Sequence, residues 1–257
     1  MQHISSGNCP DRNVKITIMY DGSAYHGWQI QKNAVSVQET FQNALSKIIG
    51  DENVDVKGCS RTDTGVHANM YCIGLKTAHP IPPQRLKAAL NNYLPQTIAV
   101  LNCEDMPLDF HPRYDCKRKQ YIYKIWNNEV RNPFLNDYVL HYRYKDLDEE
   151  LLNKAAQHYL GKHDFTSFCT LDNRRVGDMR RTVSLAKVER DSDIVTFTVE
   201  ADGFLYNMVR IMTGTLLRVA HGKIAPDSIP YIIEKKDRQL AGPTAPACGL
   251  YLNKVIY

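Results

Sequence analysis

Two runs of alternating apolar residues, Val183–Arg190 and Ile194–Glu200, are separated only by Asp191-Ser192-Asp193. A connection this short joins antiparallel neighbours. Parallel strands need a crossover of about a dozen residues or more. The chain must therefore build an antiparallel sheet. A second period-two run, Val14, Ile16, Ile18 and Tyr20, ends at an Asp21-Gly22 turn, and Val54–Lys57 and Met70–Leu75 read as further strands, the latter buried. Between them Ser36 and Glu39 form an S-x-x-E capping box ahead of Val37, Phe41, Ala44, Leu45 and Ile48 at helical spacing up to Gly50. Pro83 opens another helix carrying Leu86, Ala89, Leu90 and Tyr93, which Pro95 ends.

The pattern loosens around Leu101–Pro112, which places a domain boundary there. Beyond it, Gln120–Trp126 is period-two, with Tyr121, Tyr123 and Ile125 on one face. Leu151, Leu152, Ala155, Ala156 and Tyr159 form a helix stopped by Gly161. Leu205–Val219 reads as an apolar helix containing Arg210, and a polar loop, Ala241–Gly249, leads into a last strand, Leu250–Tyr257. Strands and helices alternate in both halves, so the expected class is α+β with a mainly antiparallel sheet. The organisation is a polar tail (1–12), an N-terminal α+β domain (13–108) and a C-terminal α+β domain (109–257).

The 257 residues, 43% hydrophobic and 23% charged, exclude collagen-like and largely disordered chains. No apolar run approaches the ~20 residues of a membrane helix, and the first twelve residues lack the apolar region of a signal peptide. Seven cysteines without a regular framework read as reduced thiols in a cytoplasmic protein. Cys59, His67, Cys72 and His79 cluster in sequence but contain no short ligand pair, and His158 and His163 straddle Gly161, so no metal is expected. The net charge of +4 is mild, but Lys117-Arg118-Lys119, Arg174-Arg175 and Arg180-Arg181 are local clusters of the kind that attract phosphate, or else solvated surface charge.

Phosphate-binding glycine loops, the G-x-S-x-G elbow and H-E-x-x-H are all absent, which argues against P-loop, Rossmann and zincin chemistry. Three features remain. Asp63 lies in Gly58–Ala68, a stretch with two glycines and little apolar periodicity, beside Arg61. It is either a carboxylate kept ionised by a cation or an acceptor for its own turn. Arg210, inside an apolar helix, either needs a carboxylate partner or snorkels to the surface. Arg118–Tyr123 interleaves cations with aromatics, as base stacking beside a phosphate requires, or is a half-exposed strand.

Several blocks resemble, in order, the signature blocks of the TruA pseudouridine synthase family. These are Tyr20–Gln29, Arg61–Ala68, Asn91–Pro95, Arg118–Tyr123, Gly161–Phe168, Phe204–Arg210, Ala241–Pro246 and Gly249–Leu252. The resemblance implies a cofactor-free isomerase that converts uridine to pseudouridine in the tRNA anticodon stem-loop, at positions 38, 39 and 40. It also implies the pseudouridine synthase fold, with two similar subdomains and a central active-site cleft, and a homodimer. Asp63 would be the catalytic carboxylate, Tyr121 would pack on the target base and Arg210 would pair with Asp63. Arg61 would hold the flipped nucleotide, and Leu250 would line an apolar pocket wall. Two other readings use the same residues: RNA binding without catalysis, and an rRNA target. The family's usual Gly-Ala-Gly-Arg-Thr-Asp-Ala-Gly is here Gly58-Cys59-Ser60-Arg61-Thr62-Asp63-Thr64-Gly65, bulkier at Ser60 and Thr64.

Overall fold

A computed structural model describes residues 11–144, 146–170 and 177–257. Arg174-Arg175 and residues 1–10 of the polar tail lie outside the described residues. The chain forms two compact units: the described residues up to Thr64 with Ala68–Cys116, and Gly65–His67 with Lys117–Tyr257.

In the first unit the order is β1 (Arg12–Tyr20), α1 (Val37–Ile49), β2 (Val56–Gly58), β3 (His67–Thr77), α2 (Pro83–Tyr93) and β4 (Ile98–Met106). β1 is central and pairs antiparallel with both β3 and β4, while β2 pairs antiparallel with β3. The capping signal of α1 is realised: the Ser36 hydroxyl accepts the Glu39 N–H at 3.2 Å, and the Gly50 N–H donates to the Ser46 carbonyl. One such cap contributes about 1 kcal/mol. The larger stabilisation comes from burying Val37, Phe41 and Leu45, each worth about 1.5–3 kcal/mol.

The looseness expected from Leu101 is a strand, not a linker, as far as Met106. Against β1, Thr17 faces Asn102 while Ile18 faces Val100, so Leu101 is an extra residue in the ladder. That bulge puts Leu101 and Asn102 both outward and destroys the alternation a sequence reading depends on.

The second unit contains β5 (Arg118–Trp126), β6 (Leu140–His141), α3 (Glu149–Gln157), β7 (Gly161–Asp164), β8 (Arg180–Asp191), β9 (Ile194–Ala201), α4 (Met208–Ala220), α5 (Ile229–Lys235) and β10 (Leu250–Ile256). Strands β10, β5, β9, β8 and β7 are neighbours in that order, each pair antiparallel, and β6 joins β5 in parallel. The architecture is α+β with a mainly antiparallel sheet. The β8–β9 hairpin is tighter than expected: Asp191 pairs with Ile194 and the turn is Ser192-Asp193, with Ser192 at φ 54°. Helix α3 stops at Gln157, capped by His158, and Gly161 opens β7 instead of ending the helix. Helix α4 begins at Met208 because Asn207 takes a left-handed conformation, φ 62°, leaving Leu205 and Tyr206 ahead of it. α5 has only seven residues, too few to show a helical period.

No helix among the described residues is long and apolar enough to cross a membrane.

Candidate active site

Asp63 follows β2 in an irregular segment with no strand or helix of its own. Its neighbour Thr62 carries the local anchors. The Thr62 hydroxyl bonds the Tyr20 phenol at 2.8 Å in a buried setting, and the Thr62 carbonyl accepts the Trp28 N–H at 3.2 Å. Gly27 allows this approach, because a Cβ there would lie 2.4 Å from the Thr62 carbonyl oxygen and its φ is +81°. Trp28 stacks on Tyr71 with ring centroids 4.2 Å apart, and the Tyr71 hydroxyl donates to the Ser60 carbonyl. The Asp-Gly-Ser-Ala-Tyr-His-Gly-Trp turn after β1 thus grips the loop that carries Asp63. Asp63 is partly exposed, Arg61 exposed and Thr62 buried, which sends the two charged side chains away from the core.

The two bulkier residues of the loop are accommodated. Thr64 is exposed, and Ser60 is held through its backbone by Tyr71, leaving its side chain at the margin of a cavity. Of the cysteine–histidine cluster, Cys59 accepts the Cys72 N–H at 3.3 Å. His67 is buried, bonds the Asp137 carbonyl at 2.9 Å and stacks on Tyr251.

In the second unit Tyr121 and Tyr123 point to the buried face of β5, as the alternation requires. Tyr121 faces Leu252 of β10, and Tyr123 faces Leu250, so these four side chains share one sheet face. Tyr121, 6% exposed, meets Phe204 edge to face at 5.0 Å. Arg118 and Lys124 are on the other face, whereas Lys119, two residues from Tyr121, shares its face. Arg118 pairs with Glu200 at 3.1 Å, and the Lys124 ammonium lies 4.7 Å from the Tyr251 ring centroid. The Arg180 charge is likewise matched, by Asp178 at 2.9 Å.

Arg210 sits in the first turn of α4. Its Nε donates to the Ala245 carbonyl at 2.7 Å and its Nη1 to the Asn207 side-chain oxygen at 2.9 Å, while the Ala245 N–H returns to the Arg210 carbonyl. Asn207 in turn donates from Nδ2 to the Thr170 hydroxyl at 3.0 Å. Pro246, next along, accepts the Tyr123 phenol at 2.7 Å. Burial drives the Tyr123 phenol far above its ordinary range, with Cys248 adding to the rise and Arg210 opposing it, so it remains a hydrogen-bond donor. The Ala241–Pro246 segment rests directly on the helix. A Cβ at Gly214 would lie 1.8 Å from the Pro243 carbonyl oxygen, and one at Gly242 would lie 2.3 Å from the Gly214 carbonyl.

Each unit thus assembles part of the expected set: Arg61 and Asp63 in the first, and Tyr121, Arg210 and Leu250 in the second. Of the positioning residues, Tyr20 and Tyr71 fall in strands that the pattern marks, whereas Gly27, Trp28, Asn207 and Ala245 carry no signal at the level of periodicity. Among the described residues no group of three or more His, Cys, Asp or Glu could hold a metal ion.

The tRNA pseudouridine synthase family matches residues 16–115 and 155–257. The chain is 47% identical over 246 residues to tRNA pseudouridine synthase A of Clostridium acetobutylicum, covering 96% of this chain and 100% of the relative. It is 46% identical to the protein of that name from Thermoanaerobacter sp. strain X514, over the same shares of both chains. To tRNA pseudouridine synthase A 2 of Clostridium perfringens it is 42% identical over 249 residues, again 96% of this chain and 100% of the relative. Matches of this extent, through both compact units and, for the family match, through the segments that carry Asp63 and Arg210, make the chain a member of the tRNA pseudouridine synthase family, of the TruA type.

Proposed function

We propose that this chain isomerises uridine to pseudouridine in tRNA, at positions 38, 39 and 40 of the anticodon stem-loop, with Asp63 as the catalytic carboxylate. The reaction breaks the bond from C1′ to N1, rotates the uracil and joins C1′ to C5. The proton of C5 is lost and N1 gains one, so nothing is oxidised or hydrolysed overall. The target nucleotide must leave the helical stack, at a cost of a few kcal/mol, of which stacking on an aromatic ring returns ~1–3. Tyr121 supplies that ring, Arg61 holds the flipped nucleotide, and Leu250 contributes apolar wall.

Asp63 acts as a carboxylate at C1′, so it must be ionised in a water-poor setting. Desolvation raises a carboxyl pKa and a nearby cation lowers it. In this reading Arg210 has that role; its guanidinium donates to the Ala245 carbonyl and the Asn207 side-chain oxygen. The observation that carries the reading is the near-full-length likeness to synthases of this name, joined to a clamped loop that holds Asp63 partly exposed beside Arg61. A homodimer, resting on the resemblance alone, and a cytoplasmic location, resting on the cysteine usage, complete the reading, and light scattering would give a mass twice 29.4 kDa.

The test is incubation of purified protein with unmodified tRNA, without added metal or cofactor, followed by pseudouridine mapping beside Asp63→Ala. Pseudouridine in the anticodon stem-loop with wild type only is the expected result. Turnover by Asp63→Ala near the wild-type rate would remove Asp63 from the chemistry. Modification confined to rRNA would replace the substrate.

A further inference from the structure

We propose that the turn from His111 to Tyr114 is a stacking platform for a nucleotide flanking the target, with Arg61 and Arg113 taking the adjoining phosphates. This rests on RNA being the substrate. The platform is a built feature of the first unit. The Asn13 side chain, buried on β1, donates to the Phe110 carbonyl at 2.8 Å and the Pro107 carbonyl at 3.1 Å. Buried Pro112 packs on Gly74 of β3. His111 Nδ1 accepts the backbone N–H groups of Arg113 and Tyr114 at 3.1 and 3.3 Å, which fixes the ring and leaves its proton on Nε2. The Asp115 carboxylate accepts the His111 N–H at 2.9 Å.

On this base the Tyr114 ring lies 4.3 Å from the His111 ring, 33° from parallel, and is 76% exposed. So large an exposed aromatic, set against the His111 ring, offers a face on which a base can stack. The Arg113 guanidinium lies 6.0 Å from the same ring. Both His111 and Tyr114 border a polar cavity of about 380 Å³ whose other walls include Asp55 with its partner Lys57, Ser60, Arg61 and Arg113. Ser60 and Arg61 belong to the loop that carries Asp63, so the cavity is continuous with that loop. Lys57 pairs with exposed Asp55 at 2.5 Å, whereas Arg61 and Arg113 have no acidic partner among the described residues. An aromatic face with unmatched guanidinium groups beside it fits a base with its phosphate better than a neutral ligand.

Two measurements test this on the whole protein. In the first, tRNA transcripts carry a single 5-iodouridine at each nucleotide flanking a modified uridine, and light-induced crosslinks are mapped. A crosslink to Tyr114 or His111 is expected, and crosslinks confined to other peptides would overturn the proposal. In the second, Tyr114→Ala should raise KM for tRNA about tenfold with kcat held, Tyr114→Phe should restore KM to within twofold of wild type, and Tyr231→Ala, an exposed tyrosine on α5, should match wild type. Arg113→Gln should lower the slope of log affinity against log salt by about one. An unchanged KM in Tyr114→Ala would sink the platform even if wild type makes pseudouridine. A wild type that makes none, yet crosslinks through Tyr114, would overturn the proposed reaction and leave the platform standing as an RNA-binding surface.

Discussion

Asp63 and Arg210 are positioned by different means. Around Asp63 the backbone has no ladder to lean on; Thr62 is held by one phenol and one indole-bearing residue, and the approach depends on the missing side chain of Gly27. Arg210 instead stands on a regular helix, and its guanidinium and its own backbone both engage Ala245. That segment lies backbone to backbone on the helix at Gly214 and Gly242. A loop held by one side-chain bond and one main-chain bond, of about 1 kcal/mol each, can be loosened by removing the side-chain partner. A contact between two main chains leaves no side chain to remove and yields only to added bulk.

Four substitutions and one titration can break or sharpen that contrast. Gly214→Ala should have the largest effect, because its Cβ would lie well inside the Pro243 carbonyl. A loss of about 3 kcal/mol is expected, roughly 6–12 °C in Tm for a chain of this size, read by calorimetry. Gly27→Ala combines a clash with a left-handed backbone and should cost about 2 kcal/mol, but turnover should fall about a hundredfold because Asp63 moves with Thr62. If stability falls and turnover does not, the loop is not held by this contact.

Tyr20→Phe removes the hydroxyl that bonds Thr62 and should cost about 1–2 kcal/mol by urea unfolding, with kcat down several-fold. Asn207→Gly keeps the left-handed backbone and deletes the amide that holds Arg210, so a kcat loss of about three- to tenfold with stability within about 1 kcal/mol of wild type is expected. An unchanged kcat would show that Asn207 is not needed to position the guanidinium.

The smallest effect is alkaline. Burial raises the phenols of Tyr123 and Tyr159, both in the second unit. The unfolded chain would release these protons near pH 10 while the folded chain keeps them. Their contribution is therefore whole below pH 10 and declines above it, by up to about 1.4 kcal/mol per pH unit for each phenol. Tyr159→Phe should flatten that decline in urea titrations between pH 9 and 10.5.

Periodicity made the second unit's share of the site legible. Tyr121 and Tyr123 fall on the buried face that alternation assigns them, and the short Asp191–Asp193 link demanded an antiparallel pair. The same rule puts Arg118 and Lys124 on the opposite face and Lys119 on the face of Tyr121. The capping box of α1 was readable because both its residues lie within one helical turn. What escaped depends on conformation or on distant partners. The bulge at Leu101 hid the end of β4, and the left-handed Asn207 delayed the start of α4. The closeness of Gly27 to Thr62 joins residues far apart in the chain and leaves no local trace. Seven residues of α5 were too few to declare a period.

The meeting of Gly214 with Gly242 has a genetic consequence. Most packing errors can be repaired by a second change that trims the opposing side chain, and this is how protein cores drift while keeping their volume. Here both partners already carry the smallest residue there is, and the atoms opposing each are main chain. A lesion at one position has no suppressor at the other, so lineages carrying this Arg210 anchor can rebuild it only by moving a helix or a loop, not by exchanging side chains.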